Sequence, residues 1–84
     1  MTVLLNDVLQ VLDSALGLKG RSAAFKKNTP LLGAVAELDS MAVVSLVSAL
    51  EEHFDLHISD EDLTAASFAS VGSLCAMLER RQTA

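Results

Sequence analysis

Apolar residues recur at steps of three and four along three segments of this 84-residue chain. That spacing places them on one side of an α-helix, so each segment has a stripe to bury against the others. The stripes predict three helices, over residues 3–16, 40–54 and 70–80. A capping-box pattern, Ser59 with Asp62 three residues later, predicts a shorter helix over 60–66. No segment alternates like a strand, so we expect an all-α fold, a four-helix bundle.

A long connection, roughly residues 18–38, joins the first two predicted helices and contains Pro30 and Gly33. Connections of this length are unusual in so small a domain. This one also contains apolar residues that we expect to pin it to the core, namely Phe25, Leu31, Leu32, Val35 and Leu38. We expect residues 1–84 to form a single domain with one modest core and no deep cleft, which argues against a self-contained enzyme.

The charge of the chain is unevenly distributed. The whole chain has 6 basic and 11 acidic residues, and eight of the acids lie within residues 37–62, which contain no Lys or Arg. This balance, with three phenylalanines as the only aromatic residues, argues against binding to nucleic acid or to anionic membranes. Two interpretations of the acidic stretch stay open, a solvated face that favours solubility and a surface for a basic partner.

The sequence also bears on the compartment. Its one cysteine, Cys75, excludes an internal disulfide and falls in an apolar-periodic segment, which favours a place in the core over a reactive thiol. The first residues lack the basic region of a signal peptide, and no apolar run approaches the length of a membrane span. We expect a monomeric cytoplasmic protein that does not insert into membranes.

The spacing of the reactive side chains does not favour catalysis or metal binding. If Ser40 and His53 lie on one helix, about 20 Å of helix separates them, too far for a nucleophile and its base. His53 and His57 are four residues apart, which suits zinc on a continuous helix. The predicted helix ends near residue 54, however, and no third ligand follows at a diagnostic spacing. We therefore expect neither a catalytic residue nor a metal.

Ser40 stands at the predicted start of the second helix, directly after Asp39. The ordinary interpretation is a helix cap, a role that serine and aspartate both suit. A helix N-terminus also presents unpaired amide donors and the positive end of the helix dipole, which would stabilise a phosphodiester. On physical grounds alone both interpretations stay open.

The string Leu38-Asp39-Ser40-Met41 and the helix after it resemble the acyl carrier protein family. The family's motif is Asp-Ser-Leu, followed by a helix that ends in Leu-Glu-Glu-x-Phe, and Met41 replaces the motif's leucine. Ile58, the acids at 60–62 and the stripe of the last helix agree as well, so the resemblance covers nearly the whole chain. Residues 30–44, PLLGAVAELDSMAVV, also resemble stand-alone carrier proteins associated with bacterial exosortase gene clusters.

The resemblance implies a 4′-phosphopantetheine arm on Ser40, beside Asp39, attached from coenzyme A by a separate phosphopantetheinyl transferase. The thiol of the arm, rather than Cys75, would hold acyl groups as thioesters in a fatty-acid, polyketide or specialised acyl-transfer pathway. The chain would be a carrier and not an enzyme. Two alternatives stay open, an aminoacyl or peptidyl carrier and an unmodified interaction domain in which Ser40 is only a cap.

The resemblance also implies that the second helix is the surface that partners recognise. Its partners would be acyl-loading and acyl-accepting enzymes with basic or apolar docking surfaces. Glu51 and Glu52 match the acids with which the family meets basic patches.

The start of the second helix departs from the pattern of fatty-acid carriers. The positions two and five residues after the serine are often acidic there, and here they are Ala42 and Ser45. Met41 and Val44 are apolar and three residues apart, so they either reach the core or remain exposed beside Ser40. If exposed, they favour apolar contacts with partners and a specialised pathway over housekeeping fatty-acid synthesis.

Overall fold

The structure is a computed structural model that describes residues 5–83. Three α-helices make up most of the fold, α1 (Leu5–Leu16), α2 (Ser40–Phe54) and α3 (Val71–Thr83). Two short 3-10 helices, Arg21–Ala24 and Asp60–Asp62, lie between them. Within the described residues there is no strand, and one isolated bridge pairs Pro30 with Ser70. The all-helical fold is confirmed, and residues 5–83 form three α-helices rather than the predicted four.

The predicted helices lie close to the observed ones. The predicted residues 3 and 4 of the first helix lie outside the described part of the chain, and the last helix continues three residues beyond the predicted end. The predicted short helix over 60–66 forms only as the 3-10 helix Asp60–Asp62, and residues 64–67 continue as bends and turns. Its capping box is present: the Ser59 side chain accepts the Asp62 N–H, and the Asp62 side chain accepts the Ser59 N–H.

The core lies between the three helices and contains residues from the long connection as well. α1 contributes the stripe that its periodicity predicts, and in α2 Leu46 and Leu50 are completely buried. Cys75 on α3 is also buried, and its burial raises the pKa of its thiol. Cys75 is therefore a core residue, as its segment predicts, and its burial disfavours the thiolate. No helix within residues 5–83 is long and apolar enough to cross a membrane.

The long connection is fastened at its start by Asp13. This carboxylate accepts hydrogen bonds from the Gly20 amide (2.9 Å), the Ser22 hydroxyl (2.9 Å) and the Ser22 amide (3.3 Å). The Ser22 hydroxyl, and after it the Gly20 amide, hold the pKa of the Asp13 carboxyl below its ordinary value. The turn after α1 is thereby tied back to α1.

Farther along, the connection pairs with the start of α3. Four backbone N–H groups donate across the two segments: Leu31 to Ala69 (2.9 Å), Leu32 to Phe68 (3.0 Å), Val71 to Thr29 (3.0 Å) and Gly72 to Lys27 (2.7 Å). Leu31 and Leu38 are buried, so the expectation of a pinned connection is confirmed. Leu32 is the exception, because its side chain is 41% exposed.

Asp55 ends α2. Its backbone is left-handed (φ 52°), and its N–H donates to the Glu51 carbonyl. His53 and His57 therefore do not share a helix. Among the described residues no group of three His, Cys, Asp or Glu side chains is placed to hold a metal ion.

Candidate functional site

The first turn of α2 is organised by Asp39 rather than by Ser40. Asp39 has an extended backbone, and its Oδ1 accepts a hydrogen bond from the Ala42 N–H at 2.8 Å. Ser40 is the first residue of the helix and is exposed. Within residues 5–83 its hydroxyl has no hydrogen-bond partner. Since Asp39 supplies the cap, the hydroxyl of Ser40 is left available for chemistry.

The electrostatics at this helix end are mixed. The Ala42 and Val43 amides donate to Asp39, whereas the Ser40 and Met41 amides have no acceptor within the helix. These two donors and the helix dipole favour a negative group beside Ser40, while the Asp39 carboxylate opposes it. Glu37, two residues before Asp39, is paired with Arg21, which offsets its charge.

The exposed large apolar side chains of the described chain surround this helix end. Met41 is 78% exposed and Val44 is 66% exposed, so neither reaches the core. Leu32 and Leu63 are each 41% exposed and lie beside Ser40. We call these four side chains, Leu32, Met41, Val44 and Leu63, the apolar rim. The sequence left open whether Met41 and Val44 are exposed, and it predicted Leu32 in the core, which is wrong. Leu63 was not singled out.

An apolar hollow of about 330 Å³ opens beside Ser40. Its walls come from α2, from the long connection and from the segment before α3, with Ser40, Val43, Leu32, Leu63, Ala65 and Phe68 among them. Larger hollows of about 480 and 550 Å³ lie against α1 and do not include Ser40. The position of the smaller hollow, rather than its volume, connects it with Ser40.

The structure places the two predicted acidic contacts, Glu51 and Glu52, in different surroundings. Glu52 is exposed. Glu51 is half-buried, and its Oε2 accepts a hydrogen bond from the Ile58 N–H at 2.8 Å and lies 3.4 Å from Nδ1 of His57. Glu51 thus holds the loop after α2 in addition to contributing charge. Both lie about 17 Å along the helix axis from Ser40.

The two histidines lie toward the far end of α2 from Ser40. The ring of His53 packs edge-on against Phe54, with centroids 4.8 Å apart, and His57 follows the end of the helix. No imidazole is therefore within reach of the Ser40 hydroxyl as a general base. The geometry suits a serine that another protein modifies, rather than a nucleophile that this chain activates.

Comparisons with known proteins agree with this geometry. The family described as "Phosphopantetheine attachment site" matches residues 6–78. Among solved structures, the chain is similar to a holo acyl carrier protein from Nitrosomonas europaea, determined by solution NMR. The two are 38% identical, with 95% of this chain and 96% of that chain covered and a TM-score of 0.89.

Proposed function

Because the chain belongs to the phosphopantetheine attachment-site family and to the acyl carrier proteins within it, we propose that Ser40 is the residue that carries the 4′-phosphopantetheine arm. One observation carries this assignment: the Ser40 hydroxyl is exposed and unbonded at the first position of α2. Asp39 supports it by capping the helix in place of Ser40.

The residues around Ser40 fit such an arm. The free amides of Ser40 and Met41 would face its phosphodiester, at the positive end of the α2 dipole. When bound, the arm supplies a thiol that holds acyl groups as thioesters. The hollow beside Ser40 offers Val43, Leu63 and Phe68 as walls that exclude water from an apolar cargo.

We propose two parts for the partner surface. The apolar rim surrounds Ser40, where every enzyme that handles the arm must approach, so it would supply the buried contacts of the complex. Glu52, and Glu51 to a lesser extent, would attract the basic surfaces of a phosphopantetheinyl transferase and of acyl-loading and acyl-accepting enzymes.

A specialised acyl-transfer pathway fits this surface better than housekeeping fatty-acid synthesis. The apolar Ala42 and the neutral Ser45 leave the first half of α2 without charge, and Met41 and Val44 are exposed there. A carrier of aminoacyl or peptidyl groups would have the same arm and differ in its loading enzyme. Incubation of the holo protein with an acyl-loading or an amino-acid-activating enzyme separates the two.

Modification with a broad-specificity transferase tests the assignment. With coenzyme A, intact-mass spectrometry should show one phosphopantetheinyl group on the wild type and none on Ser40→Ala. Ser45→Ala, which removes another exposed serine of the same helix, is the matched control and should be modified fully. A phosphopantetheinyl group on Ser40→Ala would disprove the assignment.

A further inference from the structure

A partly buried ion pair joins the segment beside the hollow to the far end of α3. The Asp62 side chain is buried, and its Oδ2 accepts hydrogen bonds from the Ser59 hydroxyl (3.1 Å) and the Ser59 amide (3.3 Å). The same oxygen lies 2.8 Å from Nε of Arg81, in the last turns of α3. This Nε is itself buried and makes no aligned hydrogen bond in the described structure, so the contact is electrostatic.

The residues directly after Asp62 form one wall of the hollow. Leu63 and Ala65 line it and are exposed, and Phe68 lines it from the core. The hydrogen bonds of the wall are local: the Leu63 N–H donates to Asp60 (3.1 Å), the Thr64 N–H to Asp62 (2.9 Å), the Ser67 N–H to the Thr64 hydroxyl (3.1 Å) and the Phe68 N–H to Thr64 (3.3 Å). Exposed residues with little packing are the ones that open locally at low cost in free energy.

The position of this wall therefore depends on its two ends. At one end Phe68 is buried, and its carbonyl accepts the Leu32 N–H at 3.0 Å. At the other end the Asp62 carboxylate is held by Ser59 and by Arg81. Ser59 belongs to the same local turn, and Ile58 before it is tied to α2 by Glu51. Arg81 is the one contact between the Asp62 side chain itself and a helix of the core among the described residues. Loss of Arg81 would leave a buried carboxylate without its counter-charge, which favours movement of the segment toward water.

We propose that the Asp62–Arg81 ion pair fixes the wall of the hollow beside Ser40 and thereby sets how well a bound acyl chain is shielded from water. The inference rests on the proposed function, because it takes Ser40 as the attachment residue. Arg81 does not line the hollow and acts through Asp62, so it is a positioning residue.

Hydrogen exchange on the unmodified protein, which has no arm, tests whether the ion pair holds the wall in place. Arg81→Gln should speed exchange of the Leu63 and Thr64 amides, which donate to Asp60 and Asp62, by about fivefold, as expected for loss of a partly buried ion pair, and leave the α1 amides unchanged. Glu61→Gln is the matched control, because Glu61 is an exposed acid next to Asp62 in the same 3-10 helix. Unchanged exchange of the Leu63 and Thr64 amides, or equal acceleration throughout the chain, would overturn the proposal.

Thioester cleavage then tests the shielding. Wild type and variants are converted to the holo form, loaded with acetyl or octanoyl groups and treated with hydroxylamine. In the wild type the octanoyl thioester should be cleaved more slowly than the acetyl thioester. Arg81→Gln should speed cleavage of the octanoyl thioester by about fivefold and leave the acetyl thioester unaffected, since only the longer chain reaches past the wall.

The outcomes separate this inference from the proposed function. Equal cleavage of both thioesters in the wild type, or no change in Arg81→Gln, would overturn the shielding while Ser40 remained the attachment residue. Failure of the wild type to take up the arm on Ser40 would overturn the proposed function and the shielding together. Should Arg81→Gln not fold, Asp62→Asn replaces it, because it removes the charge and keeps an acceptor for Ser59.

Discussion

Among single residues, Asp39 and Ser40 have separate roles: Asp39 caps α2, and Ser40 keeps an exposed hydroxyl. The sequence shows two adjacent residues that both suit a helix cap, and nothing in the pattern decides between them. The decision depends on backbone geometry, because the capping residue must be extended while the next residue is already helical. Asp39 has the extended backbone, and its carboxylate meets the Ala42 amide.

This division predicts different costs for the two alanine substitutions. Asp39→Ala should lower the free energy of unfolding by about 1 kcal/mol, the usual value of a helix cap. Ser40→Ala should cost less than about 0.5 kcal/mol, because it removes an exposed hydroxyl without a partner. Urea denaturation of the unmodified variants measures both. Equal losses in the two variants would contradict the assignment of the cap to Asp39.

Among the elements, helical periodicity predicted the three long helices. It did not predict that the short one would form only as the 3-10 helix Asp60–Asp62. The capping box at Ser59 and Asp62 is real. A cap starts a turn, however, and only a buried stripe continues it, whereas residues 63–66 are all exposed. The pattern also could not predict that Leu32 is exposed while Leu31 is buried. Adjacent leucines in an irregular segment have no period from which to assign a side.

The exposed face of α2 predicts a separation of binding from stability. Val44→Ala should raise the KM of a phosphopantetheinyl transferase for this carrier by about fivefold to tenfold, because it removes an exposed apolar contact beside Ser40. It should lower the free energy of unfolding by less than about 1 kcal/mol, whereas Leu46→Ala, in the core, should cost about 2–5 kcal/mol. Transferase kinetics and urea denaturation measure the two effects.

An exposed serine farther along the same helix, Ser48, is the control for this comparison. Ser48→Ala should change neither the KM nor the stability appreciably, since Ser48 is exposed and lies about two turns of helix from the start. If Val44→Ala lost several kcal/mol of stability and kept the wild-type KM, Val44 would be a packing residue and the apolar rim would not be a docking surface.

At the scale of the whole molecule, the fold depends on backbone pairing between distant segments. The sequence shows Gly72 as a residue that weakens the first turn of a helix. In the structure a Cβ at position 72 would lie 2.9 Å from the Lys27 carbonyl oxygen, so the absence of a side chain lets the long connection approach α3. Pairing between backbones about forty residues apart leaves no periodic signal, and for this reason sequence analysis found a pinned connection but not its partner.

The distribution of charge over the molecule predicts the kinetics of partner encounter. Glu52 is exposed on α2, and the stretch 37–62 around it contains no Lys or Arg. Replacement of Glu52 by Gln and by Lys should slow association with a basic phosphopantetheinyl transferase at low salt, with the Lys variant changing the logarithm of the rate about twice as much. Both effects should fade as salt rises, since the screening length falls to about 3 Å at 1 M.

Glu51 shows why the choice of residue matters for this test. Glu51→Lys would also break the hydrogen bond to the Ile58 amide, so its effect would mix charge with the placement of the loop after α2. The two variants of Glu52 should keep the urea midpoint of the wild type. Their stopped-flow association rates at several salt concentrations can then be compared directly with the rates of the wild type. Rates that do not change at low or at high salt would mean that the acidic stretch only favours solubility, and that partners recognise this carrier through the apolar rim alone.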